Sequence, residues 1–142
     1  MKIEKILVVD DNYPIRIVIS EMLSRIGYDA SSADSGENGL GLFRKHKFNV
    51  VLSDFQMPGM DGIAFASAIK KCSPSKPVVI MTGAINGIAG SQNSIAVDDV
   101  IYKPFTLAQL RTTIDKWSGK ADQEIYPPPP YPIDQPNQAR EV

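Results

Sequence analysis

The sequence predicts an α/β protein built as a doubly wound parallel sheet. Two observations carry this. Five short apolar runs alternate with helical patterns along the chain, and alternation of that kind calls for parallel strands joined by crossover helices. In addition, polar side chains recur at the ends of those runs, which is where chemistry gathers in such sheets.

The strands are read at Lys5 to Asp10, Asp29 to Ala33, Asn49 to Asp54, Pro77 to Met81 and Asp99 to Tyr102. The first helix is the clearest. Ile15, Val18, Ile19, Met22, Leu23 and Ile26 recur at the spacing of one helical face, with Asn12 as N-cap, Pro14 in the first turn and Gly27 as the stop. This helix is expected to pack on the sheet. A second helix is expected from Gly36 to His46 after Ser35, and a third from Gly62 to Lys71 after Asp61, each preceded by a side-chain oxygen suited to capping. The last helix follows Thr106, with a Thr106-x-x-Gln109 capping box and an apolar set of Leu107, Leu110, Ile114 and Trp117. Between strands four and five, Ala84 to Val97 contains Gly87, Gly90, Ser91, Asn93 and Ser94, all weak helix formers, and predicts a short or mobile helix.

At 142 residues the chain suits one domain. From Gly119 the composition shifts: six of eleven prolines fall between Tyr126 and Pro136. The expected organisation is therefore a folded unit over residues 1–118 and a proline-rich extended tail over 119–142, partly polyproline II.

Composition excludes several classes of function. Hydrophobic residues at 43% and charged ones at 22% are ordinary for a globular protein, and no apolar run approaches the roughly 20 residues of a membrane helix. The start lacks the pattern of a secretory signal, so a cytoplasmic location is expected. A net charge of -1 from 15 basic and 16 acidic residues leaves no basic stripe for DNA or RNA. Cys72 is the lone cysteine and His46 the lone histidine, which argues against a disulfide or a zinc site. Within Arg44-Lys45-His46-Lys47, His46 reads as part of a solvated helix end.

The reading places Asp10 and Asp11 at the end of strand one, Asp54 at the end of strand three, Thr82 just after strand four and Lys103 just after strand five. One strand-end aspartate more often caps a helix than binds a ligand, and a lone lysine or threonine is ordinary surface or turn. Together, at one place on successive strands, they predict a site. Three crowded carboxylates repel unless a cation offsets them, and histidine-free oxygen ligation points to Mg²⁺ or Mn²⁺.

Asp10-Asp11, Asp54 followed by Met57-Pro58-Gly59-Met60-Asp61-Gly62, Met81-Thr82-Gly83 and Lys103-Pro104-Phe105 resemble the signature of response-regulator receivers of the single-domain type, over about residues 4 to 118. The resemblance implies a flavodoxin-like sheet in the order 2-1-3-4-5 with helices on both faces. It implies that Asp54 accepts a phosphoryl group from a histidine kinase or phosphotransfer protein. Metal ligation would come from Asp10, Asp11, Asp54 and the backbone carbonyl of Gln56; Lys103 would pair with the phosphoryl oxygens and Thr82 would donate to them. The Lys103-Pro104 bond is expected to be cis. The implied output is a switched protein-interaction surface with a downstream protein target, a phosphorylation-dependent dimer among its forms, in a signalling domain that assists its own phosphorylation and dephosphorylation rather than a turnover enzyme. The sequence departs from the family at Val100, where the family usually has Tyr or Phe, with Tyr102 two residues on, and in the glycine-rich stretch before strand five. A haloacid-dehalogenase hydrolase would place a second acid two positions after its first-strand nucleophile, whereas Asp11 and Asn12 follow Asp10 here; a flavin or nucleotide binder would want glycine, not two negative charges, in the first loop.

Overall fold

The structure, a computed structural model, describes residues 3–83 and 96–118. Five strands, β1 (Lys5–Val9), β2 (Asp29–Ala33), β3 (Val50–Asp54), β4 (Val78–Thr82) and β5 (Asp99–Tyr102), form one parallel sheet in the order β2-β1-β3-β4-β5. The helices are α1 (Tyr13–Arg25), α2 (Gly36–Lys45), α3 (Gly62–Cys72) and α4 (Leu107–Trp117). The predicted elements stand within a residue or so at each end: strand one stops at Val9, so Asp10 lies just beyond it, and Thr82 is the last residue of β4. The expected helix between β4 and β5 falls mostly on residues outside the described ones.

The period-two alternation of each central strand sorts its side chains into two cores. Leu7, Val9, Val51, Val78 and Ile80 face α2 and α3, where they meet Leu40, Phe65, Ala66 and Ile69. Ile6, Val8, Val50, Leu52, Val79, Met81 and Ile101 face α1 and α4, where they meet Ile19, Leu23, Ile26, Leu110 and Ile114. β1, β3 and β4 are buried on both faces, which is why their sequences read as nearly unbroken apolar runs.

Caps define the helix starts. Asn12, Ser35, Asp61 and Thr106 each accept the N–H three residues on, and Thr106 and Gln109 complete the predicted capping box. Gly27, at φ 94°, turns the chain out of α1 in a conformation that favours glycine.

The apolar sets of α1 and α4 each have a member outside the core: Val18 is 54% exposed and Leu107 37% exposed. The apolar arc on α1 is wider than the strip a helix can lay on a sheet: Ile19, Leu23 and Ile26 fill that strip, and Ile15 and Met22 pack at its edges. Val18 instead lines a groove of about 440 Å³ with Ile15, Ile19, Met22, Lys103, Pro104 and Phe105. Leu107 opens the first turn of α4, ahead of the contact that Leu110 and Ile114 make.

Candidate functional site

The site follows from the register of the sheet. Val9 pairs with Ser53, so the next residues, Asp10 and Asp54, are neighbours. Asp54 pairs with Met81, which puts Thr82 one step beyond, and Thr82 pairs with Tyr102, which puts Lys103 one step beyond that. A parallel sheet thus delivers four strand-end side chains from distant parts of the chain to one edge, and Asp11 joins them from the β1–α1 loop.

Asp10, Asp11 and Asp54 each offer a carboxylate oxygen, and these oxygens lie within 4.8 Å of one another. Asp10 is 1% exposed and wholly engaged: its N–H donates to the Ala33 carbonyl at 3.2 Å, its Oδ1 accepts the Asn12 N–H at 2.9 Å, and its Oδ2 accepts Lys103 Nζ at 3.2 Å. The carbonyl of Asp10 accepts Arg16 Nη1 at 2.8 Å. Asp11 is exposed, and Asp54 is half-buried. Lys103 Nζ also donates to Asp54 Oδ1 at 2.9 Å, so one ammonium bridges two of the three acids. The Lys103 N–H donates to the Thr82 carbonyl at 2.9 Å, and the Lys103–Pro104 bond is cis, as expected.

Electrostatics follow from the crowding. Burial pushes the Asp54 carboxyl above the usual carboxylate range; the hydrogen bond from Lys103 opposes this, and the charges of Asp10 and Asp11 add to it. For Lys103, burial alone would release the proton, but the hydrogen bond to Asp54 and the charges of Asp54 and Asp10 hold it more tightly than in an ordinary lysine. Three acids facing one lysine leave negative charge to be offset. The donor set is carboxylate oxygen without sulfur or imidazole, and it fits Mg²⁺ binding.

Gln56, exposed, lies two residues past Asp54 in the loop formed by Phe55, Met57, Pro58 and Asp61. Thr82 is buried, 2% exposed, at the end of β4. Two residues here went unread in the sequence. Gly62, which the sequence marks only as a helix start and part of a motif, lets α3 begin against the end of β3: a Cβ there would stand 2.4 Å from the Asp54 carbonyl oxygen. Arg16 gave no signal beyond being a basic residue one turn after an acidic pair.

A model of the response regulator receiver domain matches residues 6–115. Sporulation initiation phosphotransferase F of Bacillus subtilis is 35% identical over 116 residues, covering 80% of this chain and 93% of that protein. A probable transcriptional regulator, ycf27, of Porphyridium aerugineum is 36% identical over 125 residues, 87% of this chain, and the chain spans only 51% of its length. Among solved structures, the response regulator TrrA of Thermotoga maritima in complex with Mg²⁺ and BeF superposes with a TM-score of 0.76 at 30% identity, over 81% of this chain and 99% of that one. Vibrio cholerae chemotaxis protein CheY4 gives 0.76 at 28%, over 82% and 99%. The matched stretch runs from the first strand into the last helix and contains every strand-end side chain described above, so the chain belongs to the family of response regulator receiver domains.

Proposed function

We propose that the chain is a phosphoacceptor switch in which Asp54 takes a phosphoryl group from a histidine kinase or phosphotransfer protein, with Mg²⁺ or Mn²⁺ required. The observation that carries this reading is the Asp54 carboxylate itself, hydrogen-bonded to Lys103 at 2.9 Å beside two further acids within ligand distance. In the transfer an Asp54 oxygen attacks phosphorus, the P–N bond to the donor imidazole breaks, and its electron pair returns to the nitrogen. Lys103 pairs with the phosphoryl oxygens and the Thr82 hydroxyl donates to one of them, so that charge on those oxygens is met by groups already in place. Asp10, Asp11, Asp54 and the Gln56 carbonyl would hold a divalent cation, which would supply further charge neutralisation there. Asp10, with both carboxylate oxygens already in hydrogen bonds, acts in part through water. Hydrolysis of the acyl phosphate uses the same groups, which makes the chain a signalling domain that assists its own dephosphorylation.

The folded unit is assigned to residues 1–118 and the tail to 119–142. On the output side, Val100, Ile101, Tyr102, Ala108, Gln109, Thr112 and Thr113 line a groove of about 430 Å³ between β5 and α4. This is the surface that phosphorylation switches for a downstream protein target or a second copy. Tyr102 is 40% exposed there and is the register partner of Thr82, while Val100 packs against the core under α2 and α3.

The test is intact-mass analysis with acetyl phosphate, with and without Mg²⁺. One phosphoryl group is expected on the wild type with Mg²⁺ and none on Asp54→Asn, and Asp11→Ala is expected to lose metal binding. Modification of Asp54→Asn at the wild-type level would remove the assignment.

A further inference from the structure

Two arginines lie on α1, and they are used differently. Arg25 reaches Glu21 at 3.5 Å with both side chains about two-thirds exposed, an arrangement that contributes little. Arg16 turns back over the helix start: its Nη1 donates to the Asp10 carbonyl at 2.8 Å, and its guanidinium carbon lies 5.4 Å from the centre of the exposed Tyr13 ring. The Asp10 carbonyl belongs to the peptide that joins Asp10 to Asp11. Because that peptide is planar, fixing its oxygen fixes the plane from which the Asp11 backbone and carboxylate depart. Asn12 secures the other side of the same loop, its N–H donating to Asp10 Oδ1 while its side chain caps α1.

We propose that Arg16 is a positioning residue for the cation site: by holding the Asp10–Asp11 peptide plane, it keeps the Asp11 carboxylate aimed at the cluster formed with Asp10 and Asp54. The inference rests on the metal reading given above and extends it to a residue that touches no ligand atom. An arginine suits the task because its planar fork donates in a fixed direction while its face stacks on Tyr13, which a lysine cannot reproduce.

Electrostatics alone predicts the opposite sign. A positive charge beside a cation site repels the ion, so if Arg16 acted only through its charge, its removal would tighten binding. If it positions Asp11, its removal loosens binding, and residues that orient metal ligands commonly cost roughly 10- to 100-fold when lost.

The experiment titrates the full chain with Mn²⁺ and follows loss of the free-ion EPR signal, for wild type, Arg16→Ala and Arg16→Lys, with melting in EDTA as the check of folding. Arg16→Ala is expected to weaken Mn²⁺ binding about tenfold with little change in melting temperature. Unchanged or tighter binding in a folded Arg16→Ala overturns the proposal. Should that variant not fold, Arg16→Lys, which keeps the stem and the charge, decides: binding weakened roughly threefold or more supports positioning, and wild-type or tighter binding overturns it. A wild type that fails to bind Mn²⁺ overturns this inference together with the metal reading, whereas binding by wild type and folded Arg16→Ala alike overturns this inference only.

Discussion

The two ends of the sheet treat charge in opposite ways. Near the start of β4, Lys70 Nζ donates to Asp98 Oδ2 and to the Lys76 carbonyl, both at 2.7 Å, and the same Asp98 oxygen accepts the Val78 N–H at 2.8 Å. One acid meets one base, and each has a further backbone partner. At the carboxyl end, three acids crowd together and one lysine bridges only two of them, and burial raises the proton affinity of Asp54. Matched charge of the first kind ties β5 to its neighbours. Unmatched charge of the second kind is a standing cost to the fold, of the sort that gathers at functional sites, and the proposed cation and phosphoryl group would fall at this end.

The largest effect that could break this contrast lies under β3. Gly62→Ala forces a Cβ to within 2.4 Å of the Asp54 carbonyl oxygen, a backbone atom that cannot swing aside. We expect a loss of roughly 3 kcal/mol in urea denaturation, with slower phosphorylation by acetyl phosphate. Wild-type values for both would mean that the β3–α3 junction yields easily and that the acceptor is not held rigidly.

Next in size is the matched pair. Lys70→Met should cost about 2 kcal/mol, the typical penalty of leaving a half-buried acid short of a partner, with phosphorylation unaffected. A neutral result would show that the pair near the start of β4 is as dispensable as an exposed one.

The smallest effect has the opposite sign. A group whose folded-state pKa is raised stabilises fully below its unfolded titration, and that contribution is lost as pH rises through the folded-state value. Asp54 is such a group, so in EDTA the wild type should lose stability relative to Asp54→Asn as pH climbs from about 4 through and beyond the usual carboxylate range. At neutral pH we expect Asp54→Asn to melt on the order of 3 °C higher, corresponding to about 1 kcal/mol, and Mg²⁺ to erase the gap by stabilising only the wild type. Melting curves across pH, with and without Mg²⁺, decide it; equal melting of the two proteins in EDTA at every pH would remove the unmatched-charge reading of this end.

How much of this was legible in the sequence varies with the physics behind each feature. Strands buried on both faces announce themselves as apolar runs, and caps such as Asn12 and Thr106 act on residues three positions away, so the elements and most of the core could be read. The gathering of Asp10, Asp54, Thr82 and Lys103 at one edge was legible because each stands at or just past a strand end, and Asp11 follows Asp10 in the chain. Val18 and Leu107 belong to apolar helical sets yet lie outside the core, since apolarity says nothing of where a helix's contact strip ends. Gly62 and Arg16 owe their roles to distances between backbones and to a side chain folding back over its own helix, and neither leaves a periodic trace. The Gly-rich stretch before β5 lies largely outside the described residues.

The stagger of one residue per strand has a consequence for how the chain matures. Asp10 and Lys103 are 93 positions apart, and β5 sits at the far edge of the sheet. A chain folded only as far as β4 would hold all three acids together without the ammonium that bridges two of them. Such a partial fold is penalised by its own charge, and docking of the last strand removes the penalty. The lysine partner of Asp54 is therefore in place only once β5 has docked.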